Sequence, residues 1–240
     1  MIIDGYRLRR LNCCMLLMLS SFALSAQTDQ QLWIDYQIAY PFANAFLFQN
    51  TATYQTLLSK EEKWRSFSLS STLEYNLLNW MDLTAEIPIA YTFQQQANNT
   101  FECSPMVGSR IHITQNRRIN SNFQVRYQQR YFRQIEDEDW DVSNRVRLKG
   151  DLLISINGPN LFTDKLWYAL ADYEEFLVLD QQLDERYANQ RRRRIGMGYR
   201  LNYKNRFEVT YAWQTSRHEI EGEFVATDNL IWFKYKMVLN

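Results

Sequence analysis

Period-two alternation, sustained for about ten residues at a time between polar stretches, is the feature of this chain that most restricts its fold. In residues 82–93, Leu83, Ala85, Ile87, Ile89, Tyr91 and Phe93 share one parity, and Asp82, Thr84, Glu86, Pro88, Ala90 and Thr92 the other. Residues 66–75, 122–131, 206–216 and 229–239 repeat the pattern. Successive side chains of a strand point to opposite faces, so such stretches read as strands with one apolar and one polar face, as in membrane barrels. Past residue 26 no apolar run approaches the roughly 18 residues of a spanning helix.

Eleven segments follow this rule: 31–40, 45–56, 66–75, 81–93, 104–114, 119–132, 141–156, 165–176, 191–201, 206–216 and 229–239. The eighth alternates poorly. Short turns (41–44, 76–80, 115–118, 157–164, 202–205) take turns with longer polar connections (57–65, 94–103, 133–140, 177–190, 217–227). That asymmetry predicts an all-β, antiparallel transmembrane outer-membrane β-barrel of ten to twelve strands, with short periplasmic turns and longer extracellular loops. Single-chain bacterial barrels have even strand numbers, so ten or twelve is expected rather than the eleven segments read.

The first residues fit a secretory signal. Arg7, Arg9 and Arg10 precede an apolar stretch, 11–24, and the small Ser25 and Ala26 end it. Residues 1–26 are expected to be a cleaved signal peptide and 27–240 a single barrel domain in the bacterial outer membrane. The 27 basic and 27 acidic residues of the whole chain become 24 and 26 once Arg7, Arg9, Arg10 and Asp4 are removed. Such a balance argues against nucleic acid as a partner. Cys103 is then the one remaining cysteine, predicted in a long extracellular loop; no disulfide or cysteine metal cluster is available to it.

Energetics choose the inner face. Arg145, Arg147 and Lys149 share one parity, opposite Val146, Leu148, Leu152 and Ile154. A Lys or Arg facing lipid near the midplane costs about 2–4 kcal/mol, and a domain's whole stability is about 5–15 kcal/mol. The charged parity is therefore assigned to the lumen. It comprises Asp35, Glu74, Glu86, Arg110, Arg126, Arg130, Arg145, Arg147, Lys149, Glu174, Arg194, Arg200 and Glu208, with Asp82, Asp151, Asp172 and Arg192 beside them. Taken strand by strand, these charges predict an acidic wall, on the first four strands, facing a basic one. Two readings follow: a packed lumen closed by ion pairs, or a narrow slit that sorts polar solutes by charge.

Signals of chemistry are sparse. His112 lies two residues from Thr114, a spacing that suits a base beside a hydroxyl nucleophile, but a hydrogen-bonded lumenal histidine is the preferred reading. His218 reads as solvated. The run 191–194 is four arginines, two directed inward and two at the rim, where lipopolysaccharide phosphates are suitable partners. The acidic run 136–139 lacks the spacing of a calcium loop. No catalytic residue, metal site or cofactor is predicted.

Gln31-Leu32-Trp33, Arg126-Tyr127-Gln128-Gln129-Arg130, Asn144-Arg145-Val146-Arg147-Leu148, Tyr173-Glu174-Glu175-Phe176 and Arg194-Ile195-Gly196-Met197-Gly198-Tyr199 together resemble domain of unknown function 2490, a family of Gram-negative outer-membrane proteins. The resemblance implies a barrel and an outer-membrane location, and supplies no activity. The functional expectation is a non-enzymatic narrow polar-solute channel or closed structural barrel, in contact with outer-membrane lipid and lipopolysaccharide. The alternatives are an outer-membrane lipid-modifying enzyme, such as a lipid hydrolase, or a soluble periplasmic β-barrel or sandwich binding protein. The facing assignment is testable. Leu148→Arg is expected to impair assembly, at a cost of about 2–4 kcal/mol near the midplane, and Arg147→Gln to be far milder, read as the heat-modifiable fraction on unboiled gels.

Overall fold

A computed structural model of the chain describes residues 30–58, 64–94, 99–136, 139–180, 188–217 and 225–239. The signal-peptide reading of 1–26, His218 and the two central acids of the 136–139 run lie outside these residues. Among the described residues there are twelve strands and no helix: β1 (Gln30–Phe42), β2 (Phe46–Leu57), β3 (Trp64–Leu78), β4 (Met81–Gln94), β5 (Thr100–Cys103), β6 (Met106–Gln115), β7 (Ile119–Gln134), β8 (Asp141–Ser155), β9 (Leu166–Val178), β10 (Ala188–Arg200), β11 (Asn205–Arg217) and β12 (Val225–Val238).

Consecutive strands pair antiparallel around the sheet, with β5 and β6 sharing one slot between β4 and β7. The break between them falls where Pro88 of β4 lies beside Ser104 and Pro105. Proline has no N–H to give a ladder. The backbone still crosses the gap, since Ser104 N–H donates to Pro88 O (2.9 Å) and Gln129 N–H to Pro105 O (3.0 Å). The wall therefore has eleven positions, matching the eleven segments read from alternation.

With eleven positions, the first and last strands run the same way. They close the barrel in parallel, from Gln30 opposite Asn229 to Ala39 opposite Val238. The expectation of an even number does not hold, because a parallel seam satisfies the backbone as completely as an antiparallel one. Side chains reinforce this seam: Lys234 Nζ lies 3.0 Å from Asp35, and Trp33 meets Trp232 edge-on, centroids 4.8 Å apart. Tyr36 stacks on Tyr235.

One end of the barrel carries the tight connections. At 43–45, Ala43 and Asn44 adopt left-handed backbone (φ 50° and 57°), the geometry that lets a two-residue turn match strand twist. The connection 156–165 is longer and turns inward. Ser155 Oγ donates to Gly158 O (2.6 Å), and Leu161 N–H to Arg117 O (2.8 Å). Leu161 then packs, with Leu153, on buried Leu166, Tyr168 and Leu170. This apolar inner cluster explains the poor alternation of the eighth segment. At the opposite end Asp180 accepts from the Asn144 backbone N–H and side-chain amide (2.9 and 2.6 Å). Those bonds hold its carboxyl below the usual carboxylate range.

The outer surface is apolar. Leu69, Leu73, Ile87, Ile89, Val107 and Ile195 stand exposed around its middle. Aromatic contacts flank them towards the turn end (Phe42–Phe46, Phe46–Tyr75, Phe207–Tyr235) and the loop end (Tyr54–Phe67, Tyr91–Phe93, Phe101–Trp140). Cys103 belongs to this surface. The expectation of a loop cysteine is corrected: residues 100–103 form β5, and Cys103 lies between Ile89 and Tyr131 in the wall, half-buried. A short strand set off by proline has too few residues to show alternation. In lipid vesicles a membrane-impermeant maleimide is expected to leave Cys103 unmodified until the chain is denatured, as followed by mass spectrometry.

Candidate functional site

The inner parity of every strand surrounds a cavity of about 1060 Å³. The structure places all thirteen charged residues named from parity on its lining, from Asp35 on β1 to Glu208 on β11. Asp151, Asp172 and Arg192, named beside them, are there too, and the structure adds Glu102, Arg206, Lys234 and Lys236. Glu102 was hidden by the assignment of 94–103 to a loop. Lys234 and Lys236 occupy the polar parity of the last strand and were legible there. Across from the charges, β2 and β3 present Gln49, Thr51, Thr53, Ser66, Ser68 and Ser70.

The densest group forms around Glu174. Its carboxylate lies 2.6 Å from Arg126, 2.7 Å from Arg147 and 3.9 Å from Arg192. Arg126 reaches on to Glu86 (3.6 Å), and Arg194 pairs with Asp172 at 2.5 Å. Aromatic rings pave this layer. The Arg192 guanidinium sits 4.6 Å from the Trp33 centroid and that of Arg194 4.3 Å from Trp232. Arg145 and Arg147 lie about 5 Å from Phe176. Stacking on rings and charge-assisted bonds offset the desolvation of buried guanidinium groups.

The remaining acids are paired locally. Glu74 binds Arg110 and accepts from Gln49; Arg130 clasps Glu102 with two bonds of 2.8 and 2.6 Å; Lys236 lies 2.9 Å from Glu208. His112 has one ring nitrogen 2.9 Å from Asp82 and the other 2.8 Å from Asn122 Oδ1. Both are thus engaged, and neither contact is to Thr114. Of the four arginines at 191–194, Arg192 and Arg194 line the cavity. Arg191 faces outward and pairs with Glu175 (3.1 Å), and Arg193 lies over Tyr173.

The two opposed walls of charge expected from the sequence are corrected by these contacts. Each acid of the first four strands has a cation brought to it: Lys234 to Asp35, Arg110 to Glu74 and, at 3.9 Å, to Asp82, and Arg126 to Glu86. Strand-by-strand listing could not show this, because long arginine side chains reach two strands sideways. The pairs run along the wall and leave the middle of the lumen open. They also leave an excess: twelve Lys and Arg line the cavity against eight Asp and Glu.

An apolar-clad, closed barrel around a cation-rich cavity defines the class. Residues 30–222 match the family described as a protein of unknown function, DUF2490, and the chain belongs to that family. No curated protein matches it.

Glu174 is the counter-charge that several cations share, so its loss is expected to cost stability. Glu174→Gln leaves Arg126, Arg147 and Arg192 facing one another. A loss of about 3–5 kcal/mol is expected, as for a broken buried pair, read as a lower temperature for the gel mobility change.

Proposed function

We propose that this chain is an outer-membrane barrel of the Gram-negative envelope, delivered by its N-terminal signal, whose lumen admits small anionic solutes. The carrying observation is the excess of lining cations, twelve against eight, inside a barrel whose outer face is apolar. Exposed apolar patches beyond a few hundred Å² mark a surface that contacts lipid or protein. Flanking aromatic girdles suit two membrane–water interfaces. In that setting Arg191 and Arg193 lie at the loop-end rim, where lipopolysaccharide phosphates are fitting partners. The protein works without catalysis in this reading: its charge field selects the solute, as rings of charged side chains do in pores.

A closed structural barrel is the second reading. The inward-turned 156–165 connection favours it, because Leu161 and its neighbours fill part of the turn-end mouth.

Planar-bilayer recording of the refolded chain under a salt gradient separates them. The solute reading expects small conductance steps with a reversal potential on the anion side. Arg145→Gln with Lys149→Gln removes two of the twelve cations while Glu102 keeps Arg130 and Asp172 keeps Arg194, so the reversal potential is expected to move towards zero. Cation preference in the unaltered chain would sink the reading. Absent conductance from correctly folded protein would favour the closed barrel.

A further inference from the structure

Arg110, Arg126, Arg130, Arg147, Arg192 and Arg194 each have a carboxylate within 4.0 Å. Arg200 and Arg206 are different. They are direct register partners on β10 and β11, both on the cavity side, near the turn end. Arg200 is 4% exposed. Arg206 Nε is buried with no hydrogen-bond partner among the described residues. The nearby acid of β11, Glu208, is already engaged by Lys236 at 2.9 Å and by the Tyr168 hydroxyl, which donates to it at 2.8 Å, and Asp164, on the inward-turned connection, attracts Arg200 without contacting it. Like charges directly opposite on paired strands repel, and a buried charge costs free energy unless paired.

Apolar and aromatic groups stand beside the pair on the same cavity lining. Tyr168 lies across Gly198, where an added Cβ would come within 2.1 Å of its ring; only glycine lets the ring lie flat on β10. Phe162, on the inward-turned connection, sits 5.7 Å from the Arg200 guanidinium. Leu161 and Leu170 continue the apolar side of the lining, backed by buried Leu166.

We propose that Arg200 and Arg206 form a binding site for the phosphoryl group of a small organic phosphate, with Phe162, Tyr168 and the leucines against its apolar body. Two guanidinium forks offer planar, bidentate donors that match phosphate oxygens. A phosphate monoester carries about −1.5 to −2 at neutral pH, enough to neutralise both arginines, whereas a carboxylate neutralises one. The site rests on the anionic-solute reading and narrows it to a ligand class.

The test is calorimetry on the refolded full chain in neutral detergent, independent of conductance. Phenyl phosphate is expected to bind one to one, inorganic phosphate more weakly, and benzoate at least tenfold more weakly than phenyl phosphate. Arg200→Gln with Arg206→Gln should abolish binding, and Arg206→Lys, which keeps the charge but not the fork, should weaken it at least tenfold. Thermal gel shifts supply a second readout. Phosphate should raise the transition of the unaltered chain at constant ionic strength. Arg206→Gln, relieved of repulsion, should match or exceed the phosphate-free transition of the unaltered chain and lose the phosphate response. An Arg206→Gln chain that unfolds earlier without phosphate, together with no binding to the unaltered chain, would overturn the site. Equal binding of benzoate would overturn the phosphoryl assignment. Phosphate binding without conductance would leave this site standing and sink the channel alone.

Discussion

The parallel seam between β1 and β12 is the constraint on which the rest of the molecule depends. Ten register pairs join Gln30–Ala39 to Asn229–Val238, and they turn an open sheet into a tube. An open sheet would expose two edges of unpaired N–H and C=O groups. Closing the sheet on itself removes both edges. Closure also creates an inside. Only then do the charged parities of strands far apart in sequence face a common space.

What happens in that space follows from side-chain reach. Eight strands leave room for packed side chains only, and sixteen or more leave an aqueous channel; eleven positions fall between. Here long arginines bend along the wall to carboxylates on the neighbouring or next-neighbouring strand, as Arg147 and Arg126 do to Glu174. Pairing along the wall satisfies the buried charges without consuming the centre, so a cavity of about 1060 Å³ persists beside a dense ion-pair network. The hydroxyl and amide surface of β2 and β3 gives that cavity a second wall of different chemistry.

Residues with unusual backbones set the local shape. Pro88 and Pro105 divide β5 from β6 without opening the wall, because Ser104 and Gln129 still find carbonyl partners. Gly108 lets Arg126 lie against β6, where a Cβ would come within 2.7 Å of the arginine side chain. Gly198 does the same for Tyr168 on β10. Each places a side chain of the lumen where a larger residue would push it into the cavity.

Alternation, with apolar residues on one parity and charges on the other, made much of this legible in the residues alone. Eleven segments, the inward direction of residues such as Glu74 and Arg147, and the short-turn, long-loop asymmetry all follow from a two-residue period, which is local. Partners are not local. Lys234 reaches Asp35 only because the two ends of the chain meet at the seam, 199 positions apart in numbering. Arg200 and Arg206, ordinary members of the inner parity by sequence, become like-charge neighbours without a contacting carboxylate only when Glu208 is drawn to Lys236 and Tyr168. The fifth segment escaped in part, since a four-residue strand cut off by proline carries too little period to read, and with it went the placement of Glu102 and Cys103. Periodicity determined which way each side chain points; closure, and the sideways reach of long cations, decided what each one meets.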